Sequence, residues 1–285
     1  MLRFLSLLVL LAFVFVAGCG GPLKKADRAF ERRDYARAIA LYRAALDAGK
    51  LKSQDMADIR FKMGRAMDGI GRPDQAVEEY RTAVELQPEG LKYYMAMADD
   101  LERLGMCEEE AAVLRNVLIL NRDNPHAEAM LGVAYARLGQ YVNALGEFRK
   151  AILHNPRDPQ NYNNLGLIYS SLGDTEKAVS YWEAGLRLKP GDELILQNLG
   201  AVYNQLKRYA DAARVYQSLT RLRPGVPKFH NQLGIAYYNS GRYKLAYDEF
   251  KTVMILDSSF PGVQDYVRLA DRGMTRLSKL PSKGR

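Results

Sequence analysis

Residues 125–158 read PHAEAMLGVAYARLGQYVNALGEFRKAILHNPRD, and residues 159–192 read PQNYNNLGLIYSSLGDTEKAVSYWEAGLRLKPGD. Set one above the other, these 34-residue strings place Gly132 over Gly166, Tyr135 over Tyr169, Ala144 over Ala178, Phe148 over Trp182 and Pro156 over Pro190. The register continues through Gly200, Tyr203, Ala212, Tyr216 and Pro224, and again through Gly234, Tyr237, Ala246 and Phe250. Recurrence at several offsets at once marks stacked copies of one supersecondary unit. Ala144, Phe148 and Ile152 fall four residues apart, which puts them on one face of a helix. The glycine belongs where the first helix of each copy crosses its partner, since a side chain there holds two backbones apart. Asn155-Pro156 stops the second helix, because proline lacks the amide and clashes with the preceding turn. Pro159 suits the first turn of the next.

Carried outward, the register finds Gly64, Gly71, Ala76, Tyr80, Ala83 and Pro88 in residues 57–90. Tyr35, Ala38, Tyr42 and Ala45 mark a first copy whose opening helix is expected at roughly 23–33. Between these two the phase slips by four residues near 49–56, which predicts a longer turn or one extra helical turn. Residues 91–124 are the most degenerate, with Ala98 in the glycine slot, Leu101 in the tyrosine slot and no terminating proline; Gly105, Leu114, Val117 and Leu118 remain. This arrangement resembles the tetratricopeptide repeat (TPR). The resemblance implies an all-α fold, a right-handed superhelical TPR solenoid of helix-turn-helix repeats. Seven repeats are expected, at 23–56, 57–90, 91–124, 125–158, 159–192, 193–226 and 227–260, then a capping helix at 261–278 with polar Asp265, Arg268, Asp271 and Arg272, and a basic tail at 279–285.

The N-terminus carries a second signal. After Arg3, an apolar run from Phe4 to Ala17 is interrupted only by Ser6 and ends in Val16-Ala17-Gly18-Cys19. It is short for a membrane span, which needs about 20 residues, and has the length of a signal-peptide core. Small residues before a cysteine resemble the lipobox of bacterial lipoproteins. That implies a signal peptide at 1–18, acylation of Cys19, and a linker of Gly20-Gly21-Pro22 within 19–22 that reaches about 10 Å. Several acyl chains, at about 0.8 kcal/mol per buried methylene, make such an anchor stable. Gly20 after the cysteine, by resemblance to enteric bacteria, favours the outer membrane, with the protein facing the periplasm.

The formal net charge is +8, one less once Arg3 leaves with the signal peptide, which suits anionic head groups or acidic partners. Basic residues are dispersed except in the tail (Arg272, Arg276, Lys279, Lys283 and Arg285), which reads as a solvated, frayed end. Nucleic-acid binding does not fit an exported chain, and no small-molecule substrate is implied. With Cys19 acylated, Cys107 has no disulfide partner; it is expected as a buried packing residue in the slot of Tyr35, Tyr141, Tyr209 and Tyr243. His126, His154 and His230 lie in different repeats without metal-ligand spacing, and there is no phosphate loop or serine-nucleophile motif. Glu108, Glu109 and Glu110 open a second helix, where they complement its dipole. The expectation is a non-enzyme without metal or cofactor apart from the lipid on Cys19; an enzyme is the alternative class.

In TPR proteins the first helices line a concave peptide-binding groove. Here that implies a candidate groove of Asn163, Asn164, Asn198, Asn204, Asn231, Gln232, Tyr238 and Asn239, a surface rich in amides. Amides donate and accept, so a row of them can pair with the backbone of an extended protein partner. Asn164, Asn198 and Gln232 each precede Leu-Gly, resembling an asparagine ladder. In the N-terminal half the corresponding positions (Asp58, Lys62, Arg65, Asp68, Lys92, Met95, Asp99, Glu102 and Arg103) are of mixed charge. The lysine, asparagine and arginine set by which repeat cochaperones clamp an acidic C-terminus is not found. The closest resemblance is to repeat lipoproteins of pilus and secretion systems, pilotin-like or Tad-pilus-like, implying a scaffold for envelope-complex assembly. The alternatives are an adaptor for peptidoglycan hydrolases or synthases, and a subunit of polysaccharide export or protein-sorting machinery.

Overall fold

The computed structural model describes residues 20–49 and 51–278. Cys19, the signal peptide and the tail 279–285 lie outside the described residues. Fifteen α-helices and no strand are found among the described residues. They run α1 Gly20–Glu31, α2 Tyr35–Asp47, α3 Ser53–Gly69, α4 Pro73–Leu86, α5 Leu91–Leu104, α6 Cys107–Leu120, α7 Pro125–Arg137 and α8 Tyr141–His154. Then follow α9 Pro159–Ser171, α10 Thr175–Leu188, α11 Glu193–Gln205, α12 Tyr209–Leu222, α13 Pro227–Asn239, α14 Tyr243–Leu256 and α15 Val263–Ser278. The chain divides into two compact units, up to Glu147 and from Phe148, with the division inside α8.

In the first unit the core forms where Gly64 of α3 meets the Tyr80 ring of α4, and Ala38 and Ala76 are fully buried. The phase slip is an added turn: α3 has 17 residues where α5 has 14, and the extra residues stand at its N-terminus. The first helix begins at Gly20, so Gly20-Gly21-Pro22, expected as an extended linker, form its first turn; it ends at Glu31, two residues short of the expected end, because Arg33 takes a left-handed conformation at φ 59°. In the degenerate repeat, Ala98 replaces the glycine and Leu114 the aromatic; both are fully buried. A methyl added on one side is matched by a smaller side chain on the other.

In the second unit Trp182, Tyr216 and Phe250 close over Gly166, Gly200 and Gly234, and a Cβ on Gly200 would stand 2.8 Å from Tyr216 Cζ. Real Cβ atoms do not approach that closely. Asp158, Asp174 and Asp192 cap α9, α10 and α11 by accepting from backbone amides of the first turn. Gly173 and Gly241 end α9 and α13 with positive φ, but Lys207 does so after α11, at φ 58°. α15 packs on α14 through a stacked Phe250–Tyr266 pair with centroids 5.2 Å apart, and its Gly273 lies against the Tyr243 ring. Where earlier first helices carry glycine and tyrosine, α15 has exposed Arg268 and Asp271. Those charges leave α15 with a polar outer face, the surface expected of a capping helix.

Candidate functional site

The second unit presents the amide-bearing helices α9, α11 and α13. Asn163 is buried; its backbone carbonyl accepts from Trp182 Nε1 at 3.2 Å and its Oδ1 from Asn198 Nδ2 at 3.0 Å. These two candidates therefore hold adjacent first helices together and spend that hydrogen-bonding capacity internally. Gln160 Nε2 donates to the cap residue Asp192 in the same inter-helix manner, at 3.2 Å.

Asn204 and Gln232 are brought to one place. With Gln197, Ala201, Lys228, Phe229 and Tyr216 they line a cavity of about 310 Å³. Asn204 Oδ1 is buried without a hydrogen-bond partner. Beneath it burial pushes the Tyr216 hydroxyl up to about 12, partly offset by a hydrogen bond that the Asn204 amide N–H donates to its oxygen. Asn231 is buried with its own Oδ1 unpartnered. Asn164 and Tyr238 are half-buried and Asn239 is exposed; none of the three lines the cavity, and the Tyr238 ring packs edge-on to Tyr243 at 5.2 Å. Tyr216 and Phe229, read from the sequence as packing residues or not singled out, form part of the cavity lining.

The mixed-charge face of the first unit is largely self-neutralised. Lys62 pairs with Asp27 at 2.7 Å, Lys92 with Asp58 at 2.5 Å, and Arg103 with Asp68 and Asp100. Burial works against the Asp58 carboxylate, but hydrogen bonds from Lys92 and Tyr93 hold it below its ordinary range.

Two acidic residues of the degenerate repeat sit where the sequence reading did not place them. Glu110, expected to face the α6 dipole from outside, is fully buried with neither carboxylate oxygen partnered. Burial, then the Glu102 carboxylate, pushes it up to about 7. It occupies the slot held by Ala38, Ala76, Ala144, Ala178, Ala212 and Ala246, so counting 34 residues back from Ala144 finds it. Asp100 is buried too, with Oδ2 unpartnered, in a slot that is Ala66, Ala134, Ile168, Val202 or Ala236 in other repeats. Cys107 is half-buried rather than buried, its Sγ 3.6 Å from the Gly105 carbonyl, because it opens α6 at a solvent-facing turn. Among the described residues no group of three or more His, Cys, Asp or Glu could hold a metal ion. No helix among them is long and apolar enough to cross a membrane.

Family models described as tetratricopeptide repeat match residues 23–90, 95–162 and 202–253, with a second such model at 147–180. The Vi polysaccharide export protein VexE of Salmonella typhi is 30% identical over 118 residues, 39% of this chain and 18% of that protein. The match thus spans under a fifth of VexE. The C-terminal part of a TPR repeat-containing protein from Cytophaga hutchinsonii superposes with a TM-score of 0.70 at 20% identity, over 86% of this chain and 99% of that one. A tetratricopeptide repeat protein from Parabacteroides merdae gives 0.63 at 15% identity, over 89% and 98%. At these identities the likeness is one of fold.

Proposed function

The chain belongs to the tetratricopeptide repeat family, and from that premise we propose that it is a protein-binding scaffold, held at the bacterial envelope by a lipid on Cys19, with no reaction of its own. The observation that carries the binding reading is the cavity between α11 and α13, where the side-chain amides of Asn204, Gln232 and Gln197 stand beside Lys228. These side-chain amides can accept from the N–H donors of a bound segment and donate to its carbonyls. An extended protein partner laid along α9, α11 and α13 supplies such donors at backbone spacing.

Asn204→Ala with Gln232→Ala tests this. Affinity for a partner captured from an envelope fraction is expected to fall about tenfold, with little dependence on salt, since the contacts are to neutral groups. An unchanged affinity with steep salt dependence would move the site to the charged face of the first unit. For the anchor, Cys19→Ser is expected to release the protein from the membrane fraction, because serine cannot form the thioether; normal maturation and sedimentation of that variant would refute the lipid.

Among envelope assemblies, the pilus or secretion system rests on sequence resemblance. The similarity to VexE favours the second reading, a subunit of polysaccharide export machinery. The partners recovered in the capture experiment separate these two.

A further inference from the structure

The third repeat places carboxyl groups in two slots that the repeats from 57 onward otherwise fill with Ala, Ile or Val, and three of the four carboxylate oxygens there have no partner. Asp100 keeps one bond, from Arg103, which also serves Asp68. Glu110 keeps none. Facing it from α5 are Asp99 and Glu102, and from α7 Arg137, whose guanidinium is already given to the Glu102 carbonyl at 3.2 Å and approaches its carboxylate at 4.0 Å. On α6 itself Glu109 pairs with Arg81 of α4 at 2.5 Å, and Glu108 is exposed. His126 of α7 acts on Asp99. An ionised Glu110 would thus be dry and unpaired, with two carboxylates and one shared guanidinium around it, an arrangement a folded chain avoids by protonation or by opening.

We propose that the α5–α6 hairpin is a proton-operated joint: a neutral Glu110 lets the two helices close in the alanine-slot geometry of the other repeats, and its ionisation opens the hairpin locally. α5 carries Lys92, Met95, Asp99, Glu102 and Arg103, so the joint governs the order of the first unit's charged face. The direction follows from linkage. Glu110 binds its proton more tightly folded than unfolded, so its contribution to stability is complete below about pH 4.5 and is lost as pH rises towards about 7. Asp100, also raised by burial, adds in the same direction.

Amide hydrogen exchange of the full chain, corrected for intrinsic rates, tests this at about pH 5.5 and about pH 8. In the wild type, protection across residues 91–120 is expected to fall about tenfold or more at the higher pH, since each unit of altered pKa corresponds to a tenfold change in the equilibrium. Glu110→Gln, permanently neutral, and Glu110→Ala, which installs the residue of the other repeats, are each expected to remove most of that fall, leaving only what Asp100 contributes. Glu108→Gln, an exposed control, keeps it. If the wild type shows no fall, or if the Ala variant retains it undiminished, the joint does not exist. A Gln variant that fails to fold leaves the decision to the Ala variant.

Discussion

Gly166 has the Trp182 indole packed so closely over its Cα that an added methyl would overlap the ring. Gly166→Ala is therefore expected to destabilise the protein by about 1–3 kcal/mol, and Trp182→Leu by about 2–5 kcal/mol through the cavity it leaves. Ala98 and Leu114 show how the chain resolves the same crossing with both changes at once. The double variant Gly166→Ala with Trp182→Leu should then cost less than the sum of the singles, a coupling readable in a denaturant double-mutant cycle; strict additivity would mean the pair does not interact. This pairing of glycine with aromatic was legible in the sequence, because both fall at fixed offsets in each well-formed repeat. Glu110 is equally present in the register, but a run of three glutamates at a helix start suggests the dipole before it suggests burial. The roles of Asn163 and Asn198 were not legible: an amide's pattern is the same whether it faces a partner or a neighbouring helix, and only the 3.0 Å bond between them decides it.

At the scale of helices, caps and terminators set the cost of change. Asp192 caps α11 through Ile195 N, accepts Gln160 Nε2 from α9 and pairs with Lys189 at 3.1 Å while nearly buried. Asp192→Ala is expected to lower stability by about 1–2 kcal/mol, more than Asp34→Ala, whose cap bond is exposed. Lys207 occupies the left-handed position that Gly173 and Gly241 hold after α9 and α13. A side chain costs about 1–2 kcal/mol in that conformation, so Lys207→Gly is expected to raise the thermal midpoint, as few substitutions to glycine do. A lowered midpoint would show that the lysine side chain contributes more than its backbone loses. The expectation of a longer turn or one extra helical turn near 49–56 came from phase counting alone, and the choice between them needed the backbone, as did the early end of α1, because nothing in the residue type of Arg33 announces a positive φ.

Taken whole, the chain spends its strictest residues on copying one hairpin and its most variable ones on the faces of the first helices, which is why fold was readable before function. Amides dominate those faces in the second unit and ion pairs in the first, so added salt is expected to weaken a partner held on the first unit's face more than one held on the second, read as the salt dependence of affinity. The end cap has a consequence for colloidal behaviour. Arg268 and Asp271 give α15 exposed charge in the slots where earlier first helices carry glycine and tyrosine, and burying that charge against a second molecule would be costly. Converting these residues to the pair found in complete repeats, Arg268→Gly with Asp271→Tyr, would turn a finished edge into an adhesive one. Light scattering would then rise with protein concentration as molecules queue end to end, a route to filaments that two surface charges now keep closed.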